Sequence, residues 1–355
     1  MRKTIVFEEP RKIGFRELPE EPCGEGQVRV RTLYSGISRG TEMTNYRGQN
    51  AGFRKRWDPR FRLYRAGEAT SKSFPLESEG YEEVGEVVEI GGGVSRFQVG
   101  ERVCGVWGHW TEAVFDAEEV RVQKMPAGLD PIAGVFLPIA HVAFNGVLDG
   151  EINLGETVAV FGLGVVGQLV GQLCRLSGAT VVGVDRVRWR LELGQRLGAA
   201  DTVIDAAQGS PAERIKELTE GRGADVCFEC TGVPEALNEA IRACAYSSKV
   251  IAMGLITTEG RGLFLGEEFH QNRVNVVCSQ IFGTNPCLRH RWDHQRIQQT
   301  ILQLMSGAQL KVKELISHSV PFEEAARAFE MLDTSPHETM EVVLAYRPSA
   351  GGGAA

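Results

Sequence analysis

Thr157-Val-Ala-Val-Phe-Gly-Leu-Gly-Val-Val-Gly167 is the stretch on which the fold depends. Thr157 to Phe161 is a continuous apolar run of strand length. Gly162, Gly164 and Gly167 have the G-x-G-x-x-G spacing, and Val166, Leu169, Val170 and Leu173 then recur with a helical period. A strand, a tight glycine turn and a helix in direct succession make an anion cradle. The glycines let backbone come close to a pyrophosphate, and the first turn of the helix, from Val165 and Val166, offers free N–H groups and a partial positive charge. The motif alone is weak, and its context makes it specific. Ala179 to Val184 reads as the next strand, and Asp185 ends it twenty-one residues after Gly164, where a carboxylate accepts from both hydroxyls of an adenosine ribose. Such an acid opposes the extra phosphate of NADP, so the expected cofactor is NAD. Arg186, Arg188 and Arg190 follow closely as charges able to offset that repulsion.

Downstream, strand and helix patterns alternate: a helix over 188–197, a strand over 202–204, a helix opened by Ser210-Pro211-Ala212-Glu213 with an N-cap and first-turn proline, and strands over 224–230, 249–253 and 274–280. Six strands joined mostly by helices predict an α/β, six-stranded parallel sheet of the Rossmann type. The first 140 residues differ, with short strand patterns at 4–7, 27–32, 83–89, 102–106, 113–115 and 120–122, which predicts a β-rich lobe. After residue 282 come helical patterns over 295–305 and 321–332 and a last strand over 341–346.

With 355 residues, 43% hydrophobic and 24% charged, the chain is long enough for two domains. We read no apolar run as long enough to span a bilayer, and Met1 to Pro10 lacks the pattern of a secretory signal, so a cytoplasmic protein without a membrane partner is expected. A net charge of −7 argues against a nucleic-acid partner. One segment departs from this balance: between Arg47 and Lys72 stand eight Lys or Arg against Asp58 and Glu68, interleaved with Phe53, Trp57, Phe61 and Tyr64. It either binds an anionic group of a substrate or is a solvated or subunit-contacting loop.

The chain resembles the medium-chain dehydrogenase/reductase superfamily over nearly its whole length. The marks are Tyr34-Ser-Gly-Ile-Ser-Arg-Gly-Thr-Glu42, Glu79-Gly-Tyr-Glu-Glu-Val-Gly-Glu-Val-Val88, Val99-Gly-Glu-Arg-Val103, the glycine turn, Glu229-Cys-Thr-Gly232 and Ser248-Lys-Val-Ile-Ala-Met-Gly254. The first of these also looks like bacteriochlorophyllide dehydrogenase. The resemblance implies a GroES-like catalytic domain over 1–142, a cofactor domain over 143–283 and a returning catalytic part over 284–355. It also implies a small-molecule substrate and a homodimer formed through the last sheet strand, about 274–282. It places Thr231, Gly254, Leu255, Gln280 and Phe282 along the dinucleotide. Many relatives carry a basic residue near Glu341 that touches the pyrophosphate, and this chain has none there.

Where zinc-dependent members have cysteine and histidine, this chain has Ser38 and Tyr81, followed by Glu82, and Leu137 stands at the third ligand position. A catalytic zinc takes about three nitrogen, sulfur or carboxylate ligands, so no zinc is expected. The proton of a reacting alcohol then needs a side chain. His141 is the first candidate, as a general acid/base or alternatively as a histidine packed between domains and bonded to backbone. Tyr81 is second, with Ser38 and Thr41 as hydroxyls that orient substrate or relay a proton, and Glu82 as a supporting carboxylate. The expected function is a zinc-independent, NAD-dependent dehydrogenase acting on a secondary alcohol of a polar metabolite, neutral or anionic, of the sugar or cyclitol type. The alternatives are a zinc-free reductase of activated C=C bonds and a non-catalytic dinucleotide-binding protein.

Overall fold

The computed structural model describes residues 2–67, 70–281 and 283–346, and they divide into two compact units. One comprises the chain up to Pro138 and from Val312 onward; the other runs from Ile139 to Lys311.

The second unit is built on six parallel strands. In space they lie in the order Thr202–Asp205, Thr180–Asp185, Thr157–Phe161, Ala224–Glu229, Cys244–Ala252, Asn275–Cys278. Counted along the chain this is 3-2-1-4-5-6, so the winding reverses between Thr157–Phe161 and Ala224–Glu229 and opens a crevice at their carboxyl ends. The central strands are apolar on both sides because helices cover both faces. Ala159, Phe161, Val182, Cys227 and Val250 pack with Ile215, Leu237 and Ile241 in one core. Ser210 caps the helix Pro211–Leu218 as its sequence predicts, its side chain accepting from the Glu213 N–H.

This unit extends further than the sequence boundary at 283. Residues 284–311 belong to it because polar side chains tie them back: Gln172 Nε2 donates to the Lys311 carbonyl (3.0 Å), the Lys311 N–H donates to Gln172 Oε1 (2.8 Å), and Asn285 Nδ2 donates to the Leu148 carbonyl (3.1 Å). The other boundary falls at Pro138 rather than 142, inside the helix Phe136–Gly150. Residues 131–150 also correct the reading of apolar length. They form a helical stretch long and apolar enough to cross a membrane, but 67% of that window is buried inside the protein, as in a core helix.

The first unit holds a mixed sheet in the order Gln123–Lys124, Arg102–Gly105, Glu83–Ile90, Gln27–Gly36, Glu341–Ala345, Ile316–Pro321. The late strand Glu341–Ala345 runs antiparallel to Gln27–Gly36, with Leu344 opposite Ser35, so the C-terminal segment completes a sheet begun by the N-terminal one. Ile316–Pro321, parallel to it, was not expected from the sequence, and the strand expected at 120–122 lies instead at Gln123–Lys124. A separate hairpin pairs Arg56–Asp58 with Leu63–Arg65.

Candidate dinucleotide site and buried acid cluster

At the switch point of the parallel sheet the glycine turn has the geometry its sequence implies. Gly162 sits at φ +91°, which a side chain rarely adopts, and its N–H donates to the Val184 carbonyl at 2.7 Å. Gly164 is the N-cap of the helix Val165–Leu176 and supplies no side chain to the first-turn N–H groups, while a Cβ built on it would meet nothing within 4 Å. The helix start therefore faces open space with its donors available. A Cβ on Gly167 would run into the carbonyl oxygen of Gly162, which explains why this position of the helix carries no side chain. Val165 is buried and Val166 half-buried in that first turn.

Asp185 ends its strand beside the turn. Its Oδ2 accepts from the Leu163 N–H at 2.7 Å and its Oδ1 from the Val187 N–H at 2.9 Å. The carboxylate is only half-buried, so lone pairs remain for a ribose. Arg186 is exposed, whereas Arg190 lies with its guanidinium over the Trp189 ring at 5.5 Å and feels the Asp185 charge.

Across the switch point, Glu229 organises the facing loops, a role the sequence reading did not assign. This fully buried carboxylate accepts through Oε1 from the N–H groups of Thr231 (2.6 Å) and Gly232 (2.9 Å) and from the Thr231 hydroxyl. The Glu229 carbonyl accepts from the Gly254 N–H at 3.0 Å. Thr231 and Gly254 are thus fixed together, and the Thr231 methyl lies 2.6 Å from where a Gly162 side chain would begin. A buried acid at the C-terminal end of a central strand was the available signal. Leu255 is exposed, and the Gln280 carbonyl accepts from Asn145 Nδ2 at 3.5 Å. Phe282 lies outside the described residues.

His141, in the same unit, is buried and hydrogen-bonded through Nε2 to Nδ1 of His294 at 3.2 Å. Burial, and then the neighbouring imidazole, push it down to about 4, so it is neutral near pH 7. The unfolded chain takes up that proton near the ordinary histidine value of 6.5, so stability is expected to fall as pH drops from 6.5 toward 4, by roughly 3 kcal/mol in all. Denaturant unfolding of wild type and His141→Gln at pH 7 and pH 5 checks this: the variant loses less stability across the interval.

The first unit gathers the remaining candidates. The Ser38 and Tyr81 hydroxyls are 2.5 Å apart, and Thr41 stands exposed at the start of the helix Thr41–Tyr46. Burial, and then the Glu82 charge, raise Tyr81 well above its ordinary value, so its hydroxyl keeps its proton. Beside them runs a chain the sequence reading missed. Glu42 Oε1 accepts from the Ser38 N–H (2.9 Å), Glu42 Oε2 meets His109 Nε2 (2.7 Å), His109 Nδ1 meets Ser35 Oγ (2.7 Å), and Ser35 Oγ meets the Tyr346 hydroxyl (3.0 Å). Burial is the largest single influence on His109 and alone would lower it, but Glu42, Glu83 and Glu79 together outweigh it and raise the imidazole above its ordinary value.

Glu82 and Glu341 are 1% and 2% exposed, and their carboxylates converge on one glycine: a Cβ on Gly36 would lie 2.7 Å from Glu82 Oε2 and 2.6 Å from Glu341 Oε1. Among the described residues, neither oxygen of Glu82 nor Oε1 of Glu341 has a hydrogen-bond partner. Burial raises both well above the carboxylate range, reinforced at Glu82 by the Glu341 charge and at Glu341 by that of Glu42. The folded state then holds protons that the unfolded chain releases above its ordinary value near 4.5, so stability is lost as pH rises from there through the raised values. Glu341→Gln, whose amide nitrogen can donate to Glu82, is expected to stabilise the protein by about 1–3 kcal/mol at pH 8 and by much less at pH 5. Thermal unfolding at the two pH values measures the difference.

The donors at the family's zinc positions do not fit a catalytic zinc. Ser38 and Tyr81 bond to one another, Leu137 is fully buried and apolar, and Glu82 alone is a strong ligand. Among the described residues no group of three or more His, Cys, Asp or Glu is placed to hold a metal ion.

A parallel sheet with its glycine turn and terminal acid at the switch point defines a dinucleotide-binding fold of the dehydrogenase type. Residues 165–300 match the zinc-binding dehydrogenase family, and along its length the chain is similar to sugar and polyol dehydrogenases of the medium-chain superfamily. That match contains none of the positions 38, 81, 82 and 137. The chain is similar to D-guloside 3-dehydrogenase of Escherichia coli, with 27% identity over 97% of this chain and 100% of that protein. It is also similar to sorbitol dehydrogenase of Halalkalibacterium halodurans, with 24% identity over 93% of this chain and 94% of that one. Among solved structures, 2R,3R-butanediol dehydrogenase from Bacillus subtilis has the same fold, with a TM-score of 0.78 and 22% identity over 98% of this chain and 100% of that one.

Proposed function

We propose that the protein is a zinc-independent, NAD-dependent dehydrogenase that interconverts a secondary alcohol and a ketone on a polar metabolite of the sugar or cyclitol type. Asp185 carries the cofactor reading: a half-buried carboxylate beside an uncapped helix start suits a ribose diol and opposes a 2′-phosphate. Support for the substrate class comes from relatives named for guloside and sorbitol. NAD, when bound, takes the hydride from carbon. The chain must then handle the hydroxyl proton, and we assign the substrate oxygen to the Tyr81 and Ser38 hydroxyls. Tyr81 keeps its proton and donates it to the carbonyl oxygen when a ketone is reduced; in the oxidising direction the substrate hydroxyl proton passes to the Tyr81 oxygen as Tyr81 hands its own proton to the Ser38 hydroxyl, which passes one on to solvent. His141 is assigned no proton transfer, because it is neutral and already bonded to His294.

The test is metal analysis of the purified protein with NADH and NADPH fluorescence titrations, followed by NAD reduction on neutral and phosphorylated sugars and cyclitols. Metal-free protein that prefers NADH and turns over a polyhydroxylated substrate supports the reading. Activity that requires zinc, or a preference for NADPH, overturns it. Tight NADH binding with no turnover on any alcohol points instead to the non-catalytic reading.

A further inference from the structure

Residues 54–65 form a finger that neither the core nor the proposed reaction uses. Its two strands make a sheet of their own, with Trp57 directly opposite Tyr64. Asp58 closes the turn: Oδ1 accepts from the N–H groups of Arg60 (3.0 Å) and Phe61 (3.1 Å), and Oδ2 accepts from Arg65 Nε (2.7 Å). The one acid of the finger is thereby satisfied internally. Arg54, Lys55, Arg56, Arg60 and Arg62 are all exposed. So are Trp57 (42%), Phe61 (57%), Leu63 (43%) and Tyr64 (44%). Alternate strand residues point to opposite faces, so this exposure means that, among the described residues, neither face of the finger is covered.

We propose that this finger inserts into the headgroup layer of an anionic lipid bilayer. Aromatic rings and a leucine at the tip suit the boundary between headgroups and acyl chains, and arginines beside them meet lipid phosphates. Charge complementarity selects the surface and the orientation. The chain carries −7 overall, yet these twelve residues hold six cations and one acid, so an anionic surface attracts this end and repels the remainder. The ring geometry argues against nucleic acid, which stacks its bases on open aromatic faces. Trp57 and Tyr64 pack edge to face at 5.1 Å and 63°, and Arg65 and Arg60 lie over Phe61 at 5.0 and 5.3 Å. A finger of this kind needs no spanning segment, which was the ground for expecting no membrane partner.

Flotation of the full chain with vesicles of phosphatidylcholine alone, or mixed equally with phosphatidylglycerol, tests the proposal. Binding is expected only to the mixed vesicles and is expected to fall roughly tenfold or more between about 0.1 and about 0.5 M salt. Brominated lipid is expected to quench the tryptophan emission of wild type more than that of Trp57→Phe. The triple variant Arg54→Glu/Arg60→Glu/Arg62→Glu and the double variant Trp57→Ser/Phe61→Ser should each lose binding while keeping wild-type NADH affinity and melting temperature, which shows that they are folded. Equal binding to both vesicles, or unchanged binding by either folded variant, overturns the proposal. So does release by single-stranded DNA, which would make the finger a nucleic-acid site, or by a sugar phosphate, which would make it a substrate site. The outcome does not depend on whether the protein turns over an alcohol.

Discussion

Gly167→Ala is expected to abolish measurable dinucleotide binding and to cost about 3 kcal/mol of stability. The added methyl would run into the Gly162 carbonyl oxygen, which is backbone and cannot rotate away. Relief requires the helix Val165–Leu176 to move off the strand Thr157–Phe161, and with it the N–H groups that face the pyrophosphate site. Gly164→Ala is the matching control. Its methyl meets nothing within 4 Å, and its φ of −70° and ψ of −170° are open to any residue. That variant should melt within a few degrees of wild type, yet bind NADH at least tenfold more weakly, because the empty space is the path by which a pyrophosphate reaches the backbone. Thermal unfolding and NADH fluorescence, run on both variants, separate a damaged fold from an obstructed site. A Gly164→Ala protein that binds NADH like wild type would mean that no ligand approaches that glycine.

The cofactor half was legible because its determinants are local. Strand, turn and helix follow one another within residues 157–176, and Asp185 lies one strand further on, so spacing alone places them in one crevice. The rest depends on partners far apart in sequence. Glu42 meets His109 and Ser35 meets Tyr346 across separations of 67 and 311 residues, and no pattern in one chain pairs them. Glu82 and Glu341 converge only because Glu341–Ala345 lies next to Gln27–Gly36 in the sheet. Ile316–Pro321 escaped detection because Ser317, His318 and Ser319 break its apolar run, and the finger because it is mostly arginine and aromatic. The boundary at Lys311 was hidden by a single side-chain amide, Gln172, which grips both the N–H and the carbonyl of a residue 139 positions away. His141 was the first acid/base candidate in the sequence, but its burial and its partner His294, in a segment to which the sequence reading assigned no role, together keep it neutral.

Replacing Asp185 by serine is expected to move cofactor preference from NADH toward NADPH by roughly a hundredfold, about 2.7 kcal/mol of differential binding. Two effects combine. The ribose loses its carboxylate acceptor, which weakens NADH by at least tenfold, and a 2′-phosphate no longer meets a negative charge while Arg186 and Arg190 remain alongside. Asp185 also accepts from the Leu163 and Val187 N–H groups, so its removal loosens the turn as well as the ribose site. Asp185→Asn distinguishes these contributions, because the amide oxygen retains one acceptor while the charge is gone. If charge sets the preference, the asparagine variant should gain NADPH affinity with a smaller loss of stability than serine, because it keeps one of the two caps, and the serine variant should show the same gain with a lower melting temperature. If the two backbone caps are what matter, the asparagine variant, which keeps only one of them, should instead lose affinity for both dinucleotides alike and gain none for NADPH. Paired titrations with NADH and NADPH, with unfolding followed on the same samples, decide between them. The same titrations on Arg186→Ala and Arg190→Ala in the serine background show which arginine receives the phosphate. Arg186 is the expected one, because it is exposed, whereas Arg190 is half-buried and lies over Trp189.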